Sequence, residues 1–124
     1  VRWISAPTDA ELADLFRRAW VFCLPSTYEG LGLPYMEAMG HGIPVVASPN
    51  PGAQDLLGDG SWGVVTEDET LGEELIRLLA DPAARESIAA RGRERAAAFS
   101  WDRMLDQHER AYDLAVDRWA AKHR

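Results

Sequence analysis

Cysteine is almost missing from this chain: Cys23 stands alone in 124 residues. That excludes an internal disulfide and a cysteine-rich zinc site. No apolar run approaches the roughly 20 residues of a membrane span, and the first residues lack the basic-then-apolar pattern of a leader. A reducing, cytoplasmic setting is the expectation. Positive charge is also short. Thirteen Lys and Arg face twenty Asp and Glu, giving a net charge of −7. A nucleic-acid module needs a basic stripe to neutralise phosphates, so that class is set aside. The deficit is local as well: no Lys or Arg lies between Arg18 and Arg77. The ten bases after residue 60 are mixed with thirteen acids, the pattern of solvated helix faces.

What is present suits one compact domain. Hydrophobic residues make up 47% and aromatics 9%, enough for a packed core. The chain opens at Val1 inside a β-like run and reads as a piece of something longer. Residues 1–4 are a short apolar run. Thr8 and Glu11 form a capping box. Leu12, Leu15, Phe16 and Ala19 then recur at helical spacing. Residues 20–24 form a continuous apolar run closed by Pro25, as expected of a strand buried on both faces. Residues 44–48 and 63–66 repeat that signal. Pro34 opens a short helix over 35–39, ended by Gly40 and Gly42. Residues 54–57 form a helical turn stopped by Gly58-Asp59-Gly60. Thr70 with Glu73 suggests a second capping box, with Leu71, Leu75, Leu78 and Leu79 on one face. Asp81-Pro82 begins a helix reaching about Phe99, and Ser100 caps the last one. That last helix carries Trp101, Met104, Leu105, His108, Tyr112, Ala115, Val116 and Trp119 on one stripe, read as core or interface packing. Strands alternating with helices predict an α/β fold: a Rossmann-like parallel sheet with flanking helices and a helical C-terminal tail. The division expected is a core over 1–80 followed by C-terminal helices over 81–124.

The chemistry concentrates in Pro25-Ser26-Thr27-Tyr28-Glu29-Gly30-Leu31-Gly32-Leu33-Pro34-Tyr35-Met36-Glu37-Ala38. This is a strand end, a glycine loop and a helix start. Ligands of open parallel sheets sit beyond the carboxyl ends of the strands. Backbone N–H groups of Gly30, Leu31, Gly32 and Leu33 would point into that space, helped by the positive end of the helix dipole. Glycines let the backbone approach a phosphate closely, without any lysine. Glu29 and Glu37 bracket the loop with seven residues between them. A carboxylate accepts two hydrogen bonds from vicinal hydroxyls, so each suits a sugar or a ribose. An anion-plus-polyol site is one reading. A solvent-exposed loop glutamate and a helix-surface glutamate is the other. Ser26 suits either a diphosphate contact or turn capping. His41 has no second ligand at metal-binding spacing. Cys23 reads as inert core, and Trp62 as packing beside a glycine turn.

The segment resembles the E-x7-E motif of retaining GT-B glycosyltransferases, in particular glycosyltransferase family 4. The usual form is Pro-Ser, two variable residues, Glu-Gly-Phe-Gly-Leu-Pro, two more residues, then Glu-Ala. Every fixed position matches except Leu31, where the family has Phe. The stretch from Asp9 to Leu15, the strand Gly42-Ile43-Pro44-Val45-Val46-Ala47-Ser48, and Gly58-Asp59-Gly60 followed by Gly63-Val64-Val65 are similar to further family segments. So is Phe99-Ser100-Trp101 with Tyr112.

The resemblance implies roles for matched positions. Glu37 holds the ribose hydroxyls of a nucleotide-diphosphate sugar. Glu29, the catalytic candidate, contacts the donor sugar. The amides of Gly30, Leu31, Gly32 and Leu33 receive donor sugar and diphosphate oxygens. Asp55 stands where many members have Glu, and a helix-start carboxylate is the structural alternative. The family further implies transfer of a hexosyl unit to an acceptor hydroxyl, with retained configuration and no metal or other cofactor. Its setting is cytoplasmic, or peripheral at a membrane. Another GT-B enzyme, such as an epimerase or phosphorylase, or a non-catalytic binding module, are the alternatives.

A GT-B enzyme has two Rossmann-like domains, and this chain is similar to the later two-thirds of the second, donor-binding one. The expected partners are the nucleotide-diphosphate sugar and the acceptor domain of the parent chain, and the fragment is expected to be inactive alone. The strand order of that fold is 3-2-1-4-5-6, which makes residues 1–4 the third strand and 20–24, 44–48 and 63–66 the fourth, fifth and sixth. The edge of the 20–24 strand is then bare. Either residues 1–4 shift across to pair with it, or a second copy or another chain covers it.

Overall fold

A computed structural model describes residues 1–123. The elements run α1 (Asp9–Arg18), β1 (Phe22–Leu24), α2 (Leu33–Gly40), β2 (Val45–Ala47), α3 (Pro51–Leu57), β3 (Val64–Val65), α4 (Asp68–Ala80), α5 (Pro82–Ala97) and α6 (Trp101–Lys122). The three strands form one parallel sheet in the order β1-β2-β3. Phe22 lies opposite Val45, Leu24 opposite Ala47, and Val46 opposite Val64. This is the order expected for the fourth, fifth and sixth strands of the doubly wound fold.

The central strand β2 decides the layering, because successive side chains of a strand point to opposite faces. Val45 and Ala47 pack with Tyr35 and Met39 of α2 and with Leu56 and Leu57 of α3. Val46 faces the other way, onto Leu78 of α4 and Ile88 of α5. Two helix layers thus sandwich the sheet, each around its own cluster.

Several expectations need correction. Residues 1–4 form no strand and do not pair with β1. Val1 and Trp3 are fully in solvent. A four-residue terminal strand without neighbours on its far side buries too little to offset the ordering of its backbone. The strand expected over 20–24 shrinks to β1 and is only half-buried, with Trp20 63% exposed. As an edge strand it has no neighbour to complete its burial. In α1 the capping box forms as expected. Only Phe16 of the α1 apolar face is buried, and Leu12 and Leu15 stay exposed.

The Thr70–Glu73 capping box does not form. Helix α4 starts two residues before Thr70, at Asp68, with no side-chain cap. Asp68 is bonded to the Ser48 hydroxyl at the end of β2, and Thr70 turns its hydroxyl to the Glu67 carbonyl and to Thr66. Helix α5 packs against α2 and buries Ile88, Ala89 and Gly92. The final helix is capped by Ser100, as expected, but none of its residues is buried. Its stripe is not core. Among the described residues, no helix is long and apolar enough to cross a membrane.

Candidate functional site

After β1 the chain turns immediately. The Ser26 N–H donates to the Leu24 carbonyl at 3.0 Å, and the Ser26 hydroxyl donates to the Tyr28 carbonyl at 3.0 Å. With its proton engaged there, Ser26 acts as a turn residue in this structure. The loop ends at Gly32, the N-cap of α2, in a left-handed conformation (φ 75°). A Cβ there would lie 2.6 Å from the Tyr35 ring, so both the backbone conformation and the close approach call for glycine. The Gly32 carbonyl accepts the N–H groups of Tyr35 and Met36, which closes the first turn.

The donors just before that turn have no such partner. Among the described residues, the N–H groups of Gly30, Leu31, Gly32 and Leu33 find no acceptor. Four successive free donors at the positive end of a helix are suited to a negatively charged or oxygen-rich ligand. Glu29 is half-buried, and its carbonyl accepts the Gly52 N–H at 2.9 Å. Glu37 is exposed on α2. The ion pairs found among the described residues join side chains within α1 and within α4, so neither loop glutamate is tied up in one.

The loop residues divide between two hollows. Leu31 and Leu33 help to line a hollow of about 560 Å³, facing Met36, Phe99, Trp101 and Met104. Its walls are largely apolar side chains, and Arg103 of α6 also reaches it. Ser26 and Thr27 open instead onto a smaller hollow of about 240 Å³ beyond the strand ends, with Ser48, Glu67 and Asp68. Neither hollow is lined by Glu29 or Glu37.

Sequence reasoning passed over Asn50. It is buried, 4% exposed, and sits at the N-cap of α3 with its Oδ1 accepting the Ala53 N–H at 2.8 Å. Its Nδ2 donates toward the Ser26 carbonyl (3.0 Å), the Ser48 carbonyl (3.1 Å) and the Tyr35 hydroxyl (3.2 Å). The Tyr35 hydroxyl in turn donates to the Leu24 carbonyl, and burial pushes its phenol above the usual range. The available signal was an asparagine between two prolines after a buried strand, an N-cap pattern.

The remaining candidates have structural explanations. Asp55 is exposed on α3, and its carbonyl accepts from Arg95. His41 stacks on Phe16 at 5.0 Å. Cys23 is half-buried, and that burial raises its thiol above the ordinary value. Among the described residues no group of three or more His, Cys, Asp or Glu is placed to hold a metal ion.

A parallel sheet sandwiched by helices, with a glycine loop and free N–H groups beyond a strand end, defines a Rossmann-like unit of the GT-B type. The chain belongs to the family of glycosyl transferases group 1, whose profile matches residues 1–95. It is 35% identical over 115 residues to the O-antigen chain mannosyltransferase B of Escherichia coli, covering 92% of this chain and 30% of that protein. It is 39% identical over 122 residues to the MMP alpha-(1->4)-mannosyltransferase of Mycolicibacterium hassiacum, covering 94% and 30%. Among solved structures, sucrose-phosphate synthase from Thermosynechococcus elongatus matches with a TM-score of 0.77 at 32% identity, over 86% of this chain and 28% of that one. The chain therefore spans about three tenths of the length of these relatives.

Proposed function

We propose that this chain is the nucleotide-sugar-binding part of a retaining glycosyltransferase of family 4, which moves a hexosyl unit from a nucleotide diphosphate to an acceptor hydroxyl. The observation that carries the reading is the run of four unpaired N–H groups at the start of α2, flanked by Glu29 and Glu37. The amides of Gly30, Leu31, Gly32 and Leu33 take donor sugar and diphosphate oxygens. Glu29 contacts the donor sugar, and Glu37 holds the ribose hydroxyls. The bond from the anomeric carbon to the diphosphate oxygen breaks, and a bond to the acceptor oxygen forms. The acceptor proton passes to the departing phosphate oxygen. The reading includes no metal cofactor.

Departure of the diphosphate needs its growing charge stabilised. The helix dipole and free amides supply part of that here. The gap in Lys and Arg between Arg18 and Arg77 leaves the cations and the acceptor site to the rest of a longer protein. The isolated chain is accordingly inactive in this reading. The lone thiol of Cys23 suits a reducing cytoplasm, with the whole enzyme soluble there or peripheral at a membrane.

The test is donor binding by the full-length protein. Each charge-assisted hydrogen bond of the Glu37 carboxylate is worth about 1.5–3 kcal/mol. Glu37→Ala should therefore weaken binding of a nucleotide-diphosphate hexose by at least about tenfold in calorimetry. Equal affinity in mutant and wild type rules out the ribose role. Product analysis separates transfer to an acceptor from release of free sugar.

A further inference from the structure

We propose that Asn50 and Gly52 are positioning residues that hold the loop of residues 26–33 by its carbonyl groups and so keep its N–H groups free for the donor. This rests on the donor-binding reading above and adds to it what sets the loop. The N-cap and first turn of α3 press on the loop at three places. At the entry, Asn50 Nδ2 donates to the Ser26 carbonyl at 3.0 Å. At the middle, the Gly52 N–H donates to the Glu29 carbonyl at 2.9 Å. At the exit, Asn50 Nδ2 reaches the Tyr35 hydroxyl in the first turns of α2 at 3.2 Å.

Each backbone contact uses a carbonyl of the loop, and none uses a donor of residues 30–33. A loop fixed from its acceptor side does not need to fold back on its own N–H groups, so those stay available. The fit at Gly52 is tight. A Cβ there would lie 2.6 Å from the Glu29 carbonyl oxygen and 3.0 Å from its carbon. Both are backbone atoms, which cannot swing aside as a flexible side chain would, so any side chain at 52 moves Glu29 itself.

Two variants of the full-length protein test this. Gly52→Ala removes no contact and displaces Glu29. Asn50→Ser keeps an N-cap residue for α3 and removes the amide donor. Probes are UDP-glucose and GDP-mannose, with UMP and GMP as controls that lack the sugar and the second phosphate. Loss of even one hydrogen bond to the charged diphosphate weakens binding about tenfold or more, so affinity for the bound donor is expected to fall at least about tenfold in both variants. Affinity for the matching monophosphate stays within about twofold, because Glu37 lies on α2 outside the displaced loop. Backbone amide resonances of residues 29–33 shift, while those of α4 stay in place.

If donor affinity and the loop resonances both match wild type in either folded variant, the proposal is overturned. It is equally overturned if donor and monophosphate affinities fall together with the unfolding temperature, since that marks general loosening. If wild type binds neither donor, the donor-binding reading fails. The loop resonances of the two variants then decide alone whether Asn50 and Gly52 set the loop.

Discussion

Tyr35 joins fold and site in one side chain. Its ring is fully buried and meets Phe22 edge-on at 6.5 Å. Its hydroxyl bridges the Leu24 carbonyl and the Asn50 amide. Burial raises the phenol above its ordinary value of 10.0, because the charged form loses water that the Asn50 amide only partly replaces. The unfolded chain then gives up this proton first as pH rises. Stability from the neutral phenol is complete below the unfolded value and is lost as pH climbs through the raised folded value. Tyr35→Phe should cost about 1 kcal/mol near neutrality for the lost hydrogen bonds. It should also flatten the decline in stability on the alkaline side. Urea unfolding of both proteins across the alkaline range checks this. Parallel alkaline slopes would show that Tyr35 is not the group responsible.

Among the elements, α3 and α5 are joined by Arg95. Its guanidinium lies between the rings of Trp62 (4.3 Å) and Phe99 (4.8 Å). It donates to the carbonyls of Asp55 and Leu56 at 3.0 and 3.3 Å. Those carbonyls lie in the last turn of α3, where helix acceptors lack internal partners and the dipole is negative. One cation thus caps a helix from a neighbouring element and stacks on two aromatic faces. Arg95→Ala should destabilise the chain by about 2 kcal/mol, combining cation–π and charge-assisted hydrogen-bond losses. Arg95→Lys should recover less than half of this, because an ammonium lacks the planar fork. Thermal and urea denaturation decide. Full rescue by lysine would show that charge alone acts there.

At the scale of the whole molecule two surfaces stay unsatisfied. The outer edge of β1 has no strand partner among the described residues. Helix α6 exposes Trp101, Tyr112, Leu114, Val116 and Trp119. An unpaired edge recruits another strand, and an apolar patch of this kind recruits another surface. The isolated chain is therefore expected to self-associate at micromolar concentration, as sedimentation velocity would show. Replacing Trp101 and Trp119 with glutamate should shift it toward monomer. Monodisperse monomer for the unmodified chain would show that neither surface is adhesive enough to matter.

The sequence by itself determined the elements whose signals are local. The Thr8–Glu11 box, the Val-rich β2, Pro34 inside the first turn of α2 and Gly58 after α3 each depend on residues a few positions apart. Short-range sterics and hydrogen bonds place such features wherever the rest of the chain lies. The parallel α/β architecture followed from their alternation, and the glycine loop with its two glutamates from their spacing. Only the tertiary structure decided which apolar faces found a partner. Residues 1–4 and the α6 stripe have the composition of buried elements but stay largely exposed, since burial requires a second surface. Thr70 has capping chemistry, yet Ser48, distant in sequence, holds Asp68 and starts α4 earlier. Asn50 and Gly52 lie in a Pro-Asn-Pro-Gly stretch whose local signal is only a helix start. Their contacts reach Ser26 and Glu29, more than twenty residues away, and no local pattern encodes a contact at that range. The loop's composition is thus written in residues 25–38, while the shape that leaves its N–H groups free is set by the start of the neighbouring α3.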